Sequence, residues 1–117
     1  MSRPLRIRRQ GWGAAERSAY GGRYYQSKKE ASYAAHLDLL RASASLKERV
    51  IEWVPQFKVP LDVNGVHICN YYVDFLVTFA DGRQEYHEVK GFETDVWRMK
   101  RRLFEAIYPD RKFVVRR

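Results

Sequence analysis

At 117 residues the chain is long enough for one domain with its own core, and small enough that a dimer would be unsurprising. Apolar residues at 45% and aromatics at 15% exclude a disordered chain, and no run approaches the roughly 18 apolar residues of a membrane span. The net charge of +8 is polarised: residues 1–29 carry +7, 98–117 carry +6 and 30–97 carry −5, a basic rim around an acidic centre that suits a phosphate backbone and a cation.

Residues 1–26, rich in Arg, Gly and Tyr without a clear period, read as a mobile basic arm, and 27–117 as a single domain. The charged N-terminus lacks the apolar segment of a secretory signal, and the one cysteine, Cys69, reads as a buried strand thiol. A cytoplasmic location is therefore expected. Ser27-Lys28-Lys29-Glu30 is a capping box opening a helix of roughly 28–44, with Ala31, Ala34, Leu37 and Leu40 as its apolar face. Val50 to Val54 reads as a short strand, and Pro55 and Pro60 bracket a second extended piece at an edge or bend. Asn64-Gly65 signals a turn, and Tyr71–Phe79 with Arg83–Lys90 reads as a β-hairpin. Thr94 or Asp95 caps a helix of about 95–107 whose stripe is Val96, Met99, Leu103 and Ile107. Tyr108-Pro109-Asp110 ends it, and Lys112–Arg116 is a last strand beside the hairpin. The order α-β-β-β-α-β predicts an α/β (α+β) domain, a mixed sheet flanked by helices.

The hairpin turn decides what the central strands present. A two-residue Asp81-Gly82 loop would set Asp74 opposite Val89. A three-residue Ala80-Asp81-Gly82 loop, with Gly82 left-handed, pairs Phe79 with Arg83 and sets Asp74 opposite Glu88. The glycine in third place favours the second. Glu88 and Lys90, two apart on one strand, then share a face. Facing carboxylates repel unless a cation lies between them, so Asp74, Glu88 and Lys90 form a candidate seat for a divalent ion and a phosphate. The three histidines, His36, His67 and His87, lack zinc spacing, and His87 alternates away from Glu88. Nothing in the sequence gathers a histidine, a tyrosine and a lysine into a metal-independent nuclease centre of the RNA-splicing type.

On these residues the chain resembles the PD-(D/E)XK nuclease superfamily, with its restriction-endonuclease-like fold. Within it, the chain is similar to small phage-encoded members related to Holliday junction resolvases and to the cutting subunits of some transposases. The resemblance spans about residues 22–117 and rests on Glu30 within Ser27 to Ala31, Val54-Pro55-Gln56-Phe57, Val73-Asp74-Phe75 and Glu88-Val89-Lys90-Gly91-Phe92. Thr94, Lys100 to Phe104 and Tyr108-Pro109 complete it. Val73 stands where the superfamily name has proline. The resemblance implies Mg²⁺ or Mn²⁺ held by Asp74, Glu88 and the Val89 carbonyl, with Glu30 reaching the ion directly or through water. It implies that Lys90 orients the attacking water or stabilises charge on phosphorus, leaving a 5′-phosphate and a 3′-hydroxyl. Catalysis would then rest on Glu30, Asp74, Glu88 and Lys90. DNA contacts would come from Arg23, Lys28, Lys29, Gln56 and Lys100, with Arg98, Arg101 and Arg102 on the backbone. The expected partner is branched DNA and the expected state a homodimer, with no small-molecule cofactor. A non-catalytic replication or recombination accessory, and a nicking subunit active only inside a larger complex, are the other readings.

Overall fold

The computed structural model of the protein describes residues 18–20, 23–25 and 27–117, with side chains from Ser27 onward. Of the arm expected at 1–26, residues 1–17, 21–22 and 26 lie outside the described residues. Within the remainder of that arm, Ser18–Tyr20 (β1) and Arg23–Tyr25 (β2) pair antiparallel, Ser18 with Tyr25 and Tyr20 with Arg23. Tyrosines favour strands, and the sequence carries them on both sides of Gly21-Gly22.

From Ser27 onward the order is the expected α-β-β-β-α-β, and the class is mixed α+β. The first helix, α1, is Lys28–Leu39, followed by a 3₁₀ turn at Leu40–Ala42. It stops short of residue 44. Ser43 turns extended (φ −64°, ψ 137°), and its hydroxyl accepts from the Ser45 N–H at 3.3 Å, a local bond that competes with helix. The strands are β3 (Val50–Val63), β4 (Val66–Phe79), β5 (Gln84–Val89) and β6 (Lys112–Arg116), in sheet order β3-β4-β5-β6. The second helix, α2, is Asp95–Ile107 and carries the chain from β5 to β6, which pair in parallel.

The two short extended pieces expected around Pro55 and Pro60 are one 14-residue strand. β3 is an edge strand, so a proline can turn its missing N–H to the open flank. Asn64 (φ 51°) and Gly65 (φ 79°) close the β3–β4 hairpin with two left-handed residues, the twist-matched type I′ pattern.

Two apolar cores form, one under each helix. Ala31, Ala34 and Leu37 of α1 cover Val50, Phe75, Val77 and Phe79. Trp97 and Phe104 of α2 cover Val59, Leu61, Tyr71, Val73, Leu76 and Tyr86. Phe75 and Phe104 are wholly buried, and each such side chain contributes roughly 1.5–3 kcal/mol. The stripe expected on α2 is displaced: Val96 and Met99 are exposed, Leu103 and Ile107 are half-buried, and Trp97 and Phe104 take the centre. The larger rings remove more apolar area from water, and they set the helix rotation. Strand side chains alternate faces, so odd residues of β4 should share one core. They do not: Phe75, Val77 and Phe79 pack under α1, whereas Tyr71 and Val73 pack under α2. The exchange of faces falls at Asp74.

Among the described residues no helix is long and apolar enough to cross a membrane. Cys69 is half-buried against the α2 core and forms no disulfide.

Candidate functional site

The β4–β5 turn has the three-residue form. Gly82 lies at φ 90° and donates its N–H to the Phe79 carbonyl at 2.9 Å, while the Phe79 N–H donates to the Arg83 carbonyl at 2.9 Å. The ladder runs from Thr78–Gln84 to Phe75–His87, a register that brings Asp74 opposite Glu88 at its next step. There the backbone pairing gives way to side chains. The Asp74 N–H donates to Glu88 Oε1 at 3.3 Å, and the Val89 N–H donates to Asp74 Oδ2 at 2.9 Å. Each acid thus holds the backbone of the other's strand, and both are 0% exposed.

Opposite Asp74 on the other side stands Gln56, between the pairs Pro55–Phe75 and Phe57–Val73. Gln56 has φ 53°, a left-handed conformation that costs a non-glycine residue about 1–2 kcal/mol. Its amide nitrogen reaches Asp74 Oδ1 at 3.4 Å and Glu30 Oε1 at 3.2 Å. Both partners are carboxylates, which fixes the amide with its NH₂ toward them. The left-handed residue therefore ties two acids together at the point where the strands change cores.

Glu30 comes to the site from α1. Ser27 caps the helix, its hydroxyl accepting from the Glu30 N–H at 3.2 Å, and Glu30 is 6% exposed. The cap thus fixes the backbone of the residue whose carboxylate meets Gln56. Lys90, just past β5, brings its ammonium to 3.9 Å from Glu88 Oε2 and 5.0 Å from the centre of the Trp97 ring. The aromatic face adds a favourable cation–π contact on one side of the lysine. Trp97 is itself anchored, its indole N–H donating to the Tyr71 hydroxyl at 2.8 Å. Three buried acids and one ammonium are brought together, while among the described residues no three His, Cys, Asp or Glu side chains form a ready-made metal cage.

The expected nucleic-acid residues separate into two sets. Lys28 and Lys29 lie on the first turn of α1, Lys29 exposed, and Gln56 belongs to the acid cluster. On α2, Arg98 pairs with Asp95 at 3.1 Å and Glu93 at 3.8 Å, and Lys100 donates to the Asn70 carbonyl at 3.3 Å. Arg101 lies against the rings of Trp97 and Phe113, with its Nε 3.6 Å from Glu105, whereas Arg102 is exposed. Arg23 is in β2, and its side chain lies outside the described residues.

A second buried polar group went unread in the sequence. On the other face of β5, the Glu85 carboxylate accepts from Arg83 at 2.6 Å and meets His87 Nε2 at 2.8 Å. His87 Nδ1 meets the Tyr33 hydroxyl at 2.5 Å, and Tyr33 also accepts from Arg116 Nε at 3.4 Å. A carboxylate only accepts, so the His87 proton sits on Nε2 and Tyr33 donates to Nδ1. Desolvation lowers the His87 pKa, although Glu85 pulls the other way, and burial raises that of Tyr33. Both states agree with this direction of donation. A tyrosine and a histidine come together here without a lysine bonded to either, and both ring nitrogens of His87 are engaged. The ring is a strut rather than a base. Arg83, Glu85 and His87 alternate with Gln84, Tyr86 and Glu88, so a row of charges on the apolar face of Val77 and Phe79 was the signal available.

No curated protein and no solved structure matches the chain. One family profile matches residues 12–117, from before the β1–β2 pair through the acid cluster to the end of β6. The chain belongs to that family, described as "Protein of unknown function (DUF1064)".

Proposed function

We propose that this protein is a metal-dependent DNA endonuclease of the PD-(D/E)XK kind, hydrolysing phosphodiester bonds in branched DNA as a homodimer. The observation that carries the reading is the buried junction of Asp74, Glu88 and Glu30 with Gln56 and Lys90. Buried like charges are costly to the fold, and a site that keeps them has a use for a positive partner.

The donor set fits Mg²⁺ or Mn²⁺. Asp74, Glu88 and the Val89 carbonyl are hard oxygen donors, and magnesium keeps several waters, so a cage of three carboxylates is not required. The Gln56 NH₂ lies between Glu30 and Asp74 as a shared positive partner would, which is the kind of neighbour these acids favour. When bound, the ion would polarise the phosphate and lower the pKa of a water. The protein's own groups do the rest. Asp74 and Glu88 are oriented by each other's strand, Glu30 is set by the Ser27 cap, and the Lys90 ammonium faces the negative charge that grows on phosphorus. Polarised positive charge, which includes Lys28 and Lys29 beside Glu30, favours a phosphate backbone over a neutral substrate. Two copies related by a two-fold axis would cut two strands symmetrically, as a four-way junction requires.

The test is cleavage of a labelled four-way junction beside its matching linear duplex, with Mg²⁺, Mn²⁺ or chelator, by wild type and Asp74→Asn. Junction cuts that need the ion and disappear in the variant are expected. Equal cutting of both substrates would remove the junction preference. Salt-sensitive binding without any cutting would leave a non-catalytic binding module in place of the nuclease.

A further inference from the structure

Beside the acids lies a second feature that their chemistry leaves unused. Lys29, Ser32, Tyr33 and His36 stand at i, i+3, i+4 and i+7 and form one stripe of α1, which lines an open pocket of about 400 Å³. Lys28 on the helix and Arg116 and Arg117 at the chain end complete a cationic wall, and no acid lines the pocket among the described residues. Arg117 also meets Glu93 in the loop before α2.

The pocket and the acid cluster share a wall. Val89 lines the pocket, and its N–H donates to Asp74 Oδ2 at 2.9 Å. Lys29 reaches over the turn that follows β5, its Nζ 3.6 Å from where a β-carbon on Gly91 would stand, which brings the ammonium to the strand end that carries Val89. The buried row beneath the pocket fixes one of its cations. Glu85 orients His87, His87 Nδ1 accepts the hydrogen bond of the Tyr33 hydroxyl, and the Tyr33 oxygen in turn accepts from Arg116 Nε. Tyr33 thus positions the guanidinium and donates nothing to a ligand. Lysine ammoniums are compact point charges, and an arginine fork matches two phosphate oxygens at once.

We propose that this pocket is a nucleic-acid phosphate site, gripping a backbone phosphate of the strand whose neighbouring phosphodiester lies at Asp74 and Glu88. The inference rests on the nuclease reading for the identity of the strand, and on the pocket itself for the grip. The bound chemistry is a phosphate oxyanion, which either a nucleic-acid backbone or a free phosphate carries.

Binding of the full chain to labelled four-way junction and linear duplex tests it, by fluorescence anisotropy in chelator over a salt series. Lys29→Ala/Arg116→Ala should bind about tenfold more weakly at physiological salt. The slope of log K against log salt should become shallower by about 0.9 for each phosphate no longer neutralised. Tyr33→Phe keeps the ring packed and removes the hydroxyl, so it should weaken binding by about threefold, the worth of one orienting hydrogen bond. Wild-type affinity and slope in the folded double variant would overturn the proposal. So would inorganic phosphate binding at the pocket, abolished in the double variant, with DNA affinity unchanged, because the site would then serve a free anion. Inorganic phosphate displacing DNA no better than chloride at matched ionic strength supports the backbone. The two readings fail separately. A wild type that never cuts, yet shows the slope change, loses the nuclease and keeps the pocket; a wild type that cuts with no slope change does the reverse.

Discussion

The two faces of β5 both bury charge, and they do so in opposite ways. On one, Arg83, Glu85, His87 and Tyr33 alternate donor and acceptor until every group has a complement, ending at Arg116. On the other, three carboxylates gather around one amide and one ammonium. The first arrangement holds α1 to the sheet and asks for nothing more. The second sets buried carboxylates side by side, the setting in which an incoming cation gains most. Burial by itself distinguishes nothing here; sign balance does.

Substitutions on each face should break this contrast in opposite directions. Asp74→Asn keeps an oxygen for the Val89 N–H and removes one like charge, so cleavage should fall by about 10³-fold, or roughly 4 kcal/mol of barrier. Its NH₂ then meets that of Gln56 where Asp74 Oδ1 accepted, which offsets the relief of repulsion, so the urea midpoint should stay about level; a loss as large as that of Glu85→Ala would make Asp74 a structural acid after all. Glu85→Ala leaves Arg83 and His87 without their shared acceptor and should cost about 2 kcal/mol in urea unfolding, the scale of lost hydrogen bonds to a charged group, since half-exposed Arg83 can turn to water. An Asp74-like outcome there would erase the distinction.

The strain at Gln56 gives a third measurement. Gln56→Gly and Gln56→Ala both lose the amide, so their difference isolates the backbone. Glycine should be more stable by about 1 kcal/mol, the reverse of its usual disadvantage in a strand. Equal stability would mean that the left-handed conformation carries no strain.

The smallest effect is with pH. Desolvation lowers the His87 pKa below its unfolded value of about 6.5, so the fold prefers the neutral ring. That preference contributes stability above pH ~6.5 and is lost as pH falls from there through the folded pKa. His87→Gln should flatten this part of the stability–pH curve. An unchanged curve would assign the acid sensitivity to other groups.

Local chemistry was legible in the sequence, and what depended on distant packing was not. Gly82 fixed the turn and hence the Asp74–Glu88 register, and Thr94 gave the start of α2, where its hydroxyl accepts from the Trp97 N–H at 3.1 Å. The rotation of α2 was misread because Val96 and Met99 fit the helical period as well as Trp97 and Phe104 do. Only the shape of the facing sheet chooses between them. The continuity of β3 was hidden by its prolines, whose tolerance depends on an edge position that a single segment cannot reveal. Gln56 matches a position in the PD-(D/E)XK pattern that the sequence resembles. Its positive φ carries no sequence mark, since neither glycine nor asparagine stands there. The charged row on β5 was readable in principle, because its residues share a face with Val77 and Phe79.

The crossed bonds at the end of the β4–β5 ladder give the protein built-in reporters. The amide protons of Asp74 and Val89 point at carboxylate oxygens, so their chemical shifts and exchange rates follow the charge on those acids directly. A spectrum of the backbone alone would therefore register an ion arriving at the site, a proton arriving in its stead, or a phosphate drawn in beside it. The signal would lie at two positions fourteen and fifteen residues apart in sequence from the acids they touch.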